Sequence, residues 1–358
     1  MFFILVDKII IFKSDMIGDL INFSPCLKII KENNKNFHIT LICSDYNFQV
    51  AKNYPYVDEF IIFKKKNLFI NIFKNFGKLF LIKYKYLFQF DGKSSSYFIS
   101  YLVRSKIKST ICFIKNKKFF GLNFYISRPS KYLLKAFYDN FIFCDENYTD
   151  NQNNKSSIHY QTNYLNILKK LDFNITHKKS LFYLDKAYEK FYDKFFYQYI
   201  NGKYLLFHFD ERWDKYKTVD YENSLKIINE FSKKNKVIIT TGIKDFIFLK
   251  DLNKKFIVFN FKDNEFAQNN KVNINNVMLI KNIELNLLAY FIKNSELSLS
   301  AHSGPIVHIS ASFDRPIIDL LPKSKNNEMD RWVPENSKYK RINFEDINDK
   351  LIENLQSP

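Results

Sequence analysis

Lys13-Ser14-Asp15-Met16-Ile17-Gly18-Asp19-Leu20 follows a short apolar run, and Ser24-Pro25 and Leu27 come soon after it. A glycine such as Gly18 lets the chain turn tightly into a helix, and a carboxylate in that helix's first turn interacts favourably with the helix dipole. An ionised Asp19 at the mouth of a cleft can take a proton from an attacking hydroxyl, as a general base does. The same residue read more plainly is a helix cap.

A second stretch, Ser298 to Pro316, reads SLSAHSGPIVHISASFDRP. A strand ending in small polar residues and glycine, followed by a helix, exposes unpaired backbone N–H groups above the strand, and such helix starts hold phosphates. Ser303 and Gly304 are candidates to bind a diphosphate through main chain, with His302 and His308 as neighbouring hydrogen-bond donors; the plainer reading of His308 is a satisfied histidine on a helix face. A third stretch, Phe207 to Lys217, offers Arg212, Lys215 and Lys217 as phosphate partners. A guanidinium grips two oxygens in a fork whereas lysine acts as a point charge, which favours Arg212. A fourth, Asp91-Gly92-Lys93-Ser94-Ser95-Ser96, is either an acceptor-facing turn or an ordinary helix entry. Neither the GxxxxGK[ST] loop nor the GxGxxG fingerprint occurs, which argues against the common phosphate- and dinucleotide-binding enzymes.

Short apolar runs alternating with helical patterns position these stretches. Strands are expected at 8–13, 38–43, 59–63, 86–90 and 109–114, with helices at 18–31 and 160–171. A second series places strands at 204–209, 236–241, 297–300 and 316–321 and helices at 221–234, 283–293 and 305–313. Residues 147–157 suggest a surface loop, and 344–355 a closing surface helix. Two such series imply two Rossmann-like α/β halves, divided here as 1–185 and 186–358. The chain has seven glycines, and Gly18, Gly92, Gly242 and Gly304 all fall just past expected strands, where open α/β sheets bind ligands.

The net charge of +18 attracts phosphates, nucleotide diphosphates or an anionic membrane surface, although lysine-rich genomic bias explains it equally. Clusters at Lys64, Lys65, Lys66 and at Lys115, Lys117, Lys118 suit a lipid-facing rim and match no nucleic-acid motif. Cys26, Cys43, Cys112 and Cys144 form no metal-ligand or disulfide pattern, so no metal is expected and a reduced cytoplasm fits. Residues 1–12 lack a basic leader and cleavage site, and no stretch of ~20 apolar residues follows, so any membrane contact is expected to be peripheral, at the inner face of the cytoplasmic membrane.

The first stretch resembles the N-terminal signature of glycosyltransferase family nine, the lipopolysaccharide heptosyltransferase-like family. Asn53-Tyr54-Pro55-Tyr56-Val57-Asp58-Glu59 resembles that family's approach to its third strand, Arg212-Trp213 its basic loop, and Ser303-Gly304-Pro305 its C-terminal signature. The resemblance departs at His302, where the family has Asp, and at His308, one residue farther from Gly304 than usual. It implies a GT-B fold of two Rossmann-like domains with a cleft between them, the N-terminal one facing the acceptor and the C-terminal one binding nucleotide sugar. It further implies Asp19 as base, no cofactor, a nucleotide-sugar donor such as ADP-heptose, and a lipopolysaccharide-core or other lipid-linked glycan acceptor. The alternatives are a GT-B enzyme with a UDP- or GDP-sugar donor, an inactive nucleotide-sugar-binding relative, and a basic RNA-binding or membrane-surface scaffold.

Overall fold

Runs such as Lys8–Phe12, in which Ile9 to Phe12 are all fully buried, are apolar at consecutive positions rather than alternate ones. That is the mark of a parallel strand covered by helices on both faces. The computed structural model describes residues 7–64, 68–119, 122–144, 159–210, 214, 219–242, 246, 248–261, 265–266, 276–301, 304–334 and 338–348. It separates into two compact units, Met1–Ser180 with Asp330–Trp332, and Leu181–Met329 with Val333–Pro358.

The first unit holds β1 (Lys8–Phe12), α1 (Ile17–Asn33), β2 (His38–Ser44), α2 (Asp45–Ala51), β3 (Glu59–Phe63), α3 (Leu68–Lys74), β4 (Tyr84–Gln89), α4 (Ser94–Leu102), β5 (Ser105–Phe119), β6 (Leu122–Arg128), α5 (Lys131–Phe137), β7 (Asn140–Cys144) and α6 (Tyr160–Lys170). The strands order as β3-β2-β1-β4-β5-β6, with β7 also on β5. All pairings are parallel except β5 with β6. Strand order reverses at β1, so the loops after β1 and β4 open at the sheet's topological switch point.

The second unit repeats the plan with α7 (Glu189–Phe195), β8 (Tyr204–Phe209), α8 (Tyr221–Ser232), β9 (Lys236–Thr241), α9 (Leu249–Lys255), β10 (Ile257–Asn260), β11 (Glu265–Phe266), β12 (Val277–Lys281), α10 (Leu285–Asn294), β13 (Leu297–Ala301), α11 (Gly304–Ser312), β14 (Ile317–Leu321), α12 (Asn326–Met329) and β15 (Tyr339–Asn343). Its order is β11-β10-β12-β9-β8-β13-β14-β15, and β8 is the switch strand.

Helix α1 shows how a sequence oddity is accommodated. Pro25 sits inside it and has no N–H to give the carbonyl of Ile21. The Ser24 hydroxyl donates to that carbonyl at 2.6 Å instead, so the helix runs on for two more turns.

The α/β class and most expected elements agree with the structure, with two differences. β5 runs to Phe119, well past the expected 114, because residues 113–119 pair with 122–128 as an antiparallel hairpin. The expected closing helix does not start at 344. Phe344 is buried and opens a 3₁₀ turn that stops at Asp346, after which Ile347 is extended. The loop expected at 147–157 lies outside the described residues. Among the described residues, no helix is long and apolar enough to cross a membrane.

Candidate active-site residues in the two units

In the first unit the turns after β1 and β4 lie side by side, since Phe12 and Gln89 are register partners and Phe90 N–H donates to Phe12 O. Asp91 ties them together. Fully buried, its carboxylate accepts from Ser14 N–H at 3.0 Å, Ser14 Oγ at 2.6 Å, Ser96 Oγ at 2.9 Å, Gln89 Nε2 at 3.1 Å and Lys93 N–H at 3.1 Å. A carboxylate so completely satisfied has no capacity left for a ligand. Of the two readings of the Asp91 turn, the structure therefore supports helix entry, with Lys93 at the N-cap of α4.

Lys13 is the second anchor. Though fully buried, it donates to Asp15 Oδ2 at 2.6 Å, Phe90 O at 3.1 Å and the Tyr164 hydroxyl at 2.8 Å, using all three ammonium protons. Its charge also sits 4.8 Å from the Tyr164 ring centroid. Burial pushes the Asp15 carboxyl up, Lys13 opposes this, and Asp19 and Asp91 reinforce the rise. Asp15 Oδ1 is buried and has no hydrogen-bond partner among the described residues.

These anchors leave Asp19 half-buried in the first turn of α1. The Met16 side chain at the N-cap accepts no hydrogen bond from the helix, so Met16 and Asp19 form no capping box. Its Oδ1 instead accepts from the Trp332 indole Nε1–H at 2.8 Å. Trp332 belongs to a three-residue piece of the first unit encoded far along the chain, and its ring lies edge-on to Tyr160 at 4.9 Å. Burial pushes the Tyr160 phenol up to about 12, with Cys144 adding to this and Arg331 opposing it. Burial likewise holds Tyr164 well above its ordinary value. Both phenols therefore stay protonated at neutral pH. One carboxylate oxygen is thus fixed in position by an indole, and the arrangement can accept a proton from a hydroxyl brought to the other.

In the second unit β8 and β13 are parallel neighbours whose last residues, Phe209 and Ala301, are register partners. The stretches singled out from the sequence leave the sheet from these two ends, at the switch point. Gly304 is the first residue of α11 and is exposed, and a Cβ there would meet nothing within 4 Å. His308 lies on a covered side of α11 and is buried. Arg212, Lys215, Lys217, His302 and Ser303 lie outside the described residues.

Sequence reasoning passed over Lys13, Asp15 and Trp332 as functional residues. A lysine after a strand reads as a solvated end, and nothing local marks Trp332 as the partner of a residue near the start. Only the acid-lysine spacing in Lys13-Ser14-Asp15 was a signal, and a weak one.

Compared with solved structures, the chain superposes over nearly its full length on nucleotide-sugar enzymes. The glycosyl transferase family 9 structure from Veillonella parvula matches at TM-score 0.68 and 15% identity, covering 98% of this chain and 90% of that one. The ADP-heptose lps heptosyltransferase II of E. coli matches at 0.66 and 11%, covering 98% of each chain. The E. coli heptosyltransferase WaaC, solved with ADP, matches at 0.63 and 12%, covering 97% and 98%.

The chain has a GT-B fold.

At these identities the likeness is one of fold. No protein-family model matches the sequence, and no curated protein matches it.

Proposed function

We propose that this GT-B chain is a glycosyltransferase that works by a single inverting displacement without a metal. The observation that carries the reading is Asp19, a half-buried carboxylate at the switch point of the first sheet with one oxygen held by Trp332 and the other left to act. An acceptor hydroxyl gives its proton to Asp19 as its oxygen bonds to the anomeric carbon. The bond from that carbon to the donor's phosphate oxygen breaks, and the nucleoside diphosphate leaves with the electron pair. The start of α11 at Gly304, with His302 and Ser303, binds the diphosphate through main-chain N–H groups, and Arg212, backed by Lys215 and Lys217, neutralises its charge. His308 supports that helix from within.

The donor best supported is an ADP-activated heptose or similar sugar, since the solved neighbours of this fold include heptosyltransferases with ADP or an ADP-heptose analogue. The acceptor is a lipid-linked glycan, such as a lipopolysaccharide core, offered at an anionic membrane face.

Thermal-shift titration with ADP, UDP, GDP and CMP tests donor binding. Selective stabilisation by ADP is expected, and Gly304→Ala is expected to weaken it without lowering the melting temperature of the free protein, because the added methyl meets open space. Asp19→Asn is expected to cost about 10²–10⁴ in transfer rate, the usual contribution of a general base, with ADP binding retained. Equal stabilisation by all four nucleotides that vanishes in high salt would sink the donor site; full activity in Asp19→Asn would sink the base.

A further inference from the structure

Charge is spread very unevenly along this chain. Residues 60–138 contain 17 lysines and arginines and a single acidic residue, Asp91, a balance of +16 out of the whole chain's +18. Asp91 is buried and offers nothing to solvent. This stretch also builds one face of the first sheet: Leu79, Tyr97, Ile99 and Leu134, from the region of α3, α4 and α5, share one apolar cluster, with Ile72 and Phe80 packed against it.

The outer side of those helices is not polar. On α3 and the turn after it, Phe69 and Phe73 are 85% and 82% exposed and Leu81 is 68% exposed, with Ile70 and Phe76 also in solvent. Phe98 on α4 and Tyr132 on α5 stand out in the same way. A surface helix ordinarily turns charged residues outward. Here the outward residues are aromatic, and the charges among them, Lys64, Lys74 and Lys83, are exposed lysines. Lys78 is the exception, being paired with Glu59.

We propose that the face built by α3, α4 and α5 docks on an anionic lipid bilayer, with the aromatic side chains entering the headgroup region and the lysines bound to lipid phosphates. A large apolar contribution added to a cationic one is what interfacial binding needs. A second copy of the chain is a poor occupant, because pairing this face with itself would set the exposed Lys64, Lys74 and Lys83 against the same lysines. The proposal goes beyond sugar transfer, and its test contains no sugar, so either can fail alone.

The test is flotation of the full chain with vesicles of phosphatidylcholine, or of equimolar phosphatidylcholine and phosphatidylglycerol. Binding is expected on the mixed vesicles and to weaken with salt. Phe69→Ser with Phe73→Ser should reduce binding at least about tenfold at an unchanged melting temperature, both rings being in water already. Lys74→Gln and Lys83→Gln should each cost about fivefold. Equal flotation on phosphatidylcholine alone, or of parent and Phe variants, would overturn the proposal. So would a dimer that the Phe substitutions dissociate, or tighter binding to RNA than to the mixed vesicles.

Discussion

Replacing Lys13 by methionine keeps the length of the buried side chain and removes its charge. Three acceptors then lose their donor at once: Asp15 Oδ2, Phe90 O and the Tyr164 hydroxyl. Breaking one side of a buried ion pair typically costs about 3–5 kcal/mol, because the stranded partner keeps its desolvation cost and loses its compensation. For a unit of this size each kcal/mol moves the melting temperature by about 2–4 °C, so Lys13→Met should melt roughly 6–20 °C lower. Asp15→Asn should cost less, since Asp15 retains 18% exposure and a neutral amide strands less charge against Lys13. The double variant should be less destabilised than the sum of the two, as partners in one network require. Differential scanning calorimetry of the four proteins at neutral pH decides it. If Lys13→Met melts with the parent, or the two changes simply add, the ammonium is not what braces the turn that carries Asp19.

Asp319, on β14, is a buried carboxyl pushed up to about 7 by burial, against the hydrogen bond from Tyr339 and the charge of Arg341. Between pH ~4 and ~7 the unfolded chain therefore loses this proton while the folded chain keeps it, so stability falls as pH rises through that window. Asp319→Asn should melt progressively higher than the parent from pH ~4 to ~8; a constant offset across that range would refute the assignment. Trp332→Phe keeps a ring against Tyr160 and removes the donor to Asp19. We expect kcat to fall about tenfold with KM for the donor unchanged, and a change in KM alone would mean that the indole orients something other than the base.

Strands such as Tyr204–Phe209 and Lys236–Thr241 were legible to the residue, because a strand buried on both faces is apolar at consecutive positions over most of its length. The hairpin of β5 and β6 was not. Lysines at 115, 117 and 118 break the apolar run that marked the start of the strand, and the pairing that continues it is an antiparallel one at the sheet's edge. In the site, Asp19 and Gly304 were legible because a turn glycine and a helix start are local features. Asp91 was visible as a residue but not as a knot, since its five donors come from two separate turns. The Trp332 contact is beyond any local pattern: a hydrogen bond across 313 residues leaves no periodicity to find.

That separation also has a consequence for how the protein is made. At ribosomal rates of about 5–20 residues per second, Asp19 is synthesised some 15–60 seconds before Trp332 exists. The sheet of the first unit can collapse in that interval with a bare carboxylate at its switch point. The indole arrives last, so the Asp19–Trp332 hydrogen bond dates from the end of translation rather than from the collapse of the sheet that carries Asp19.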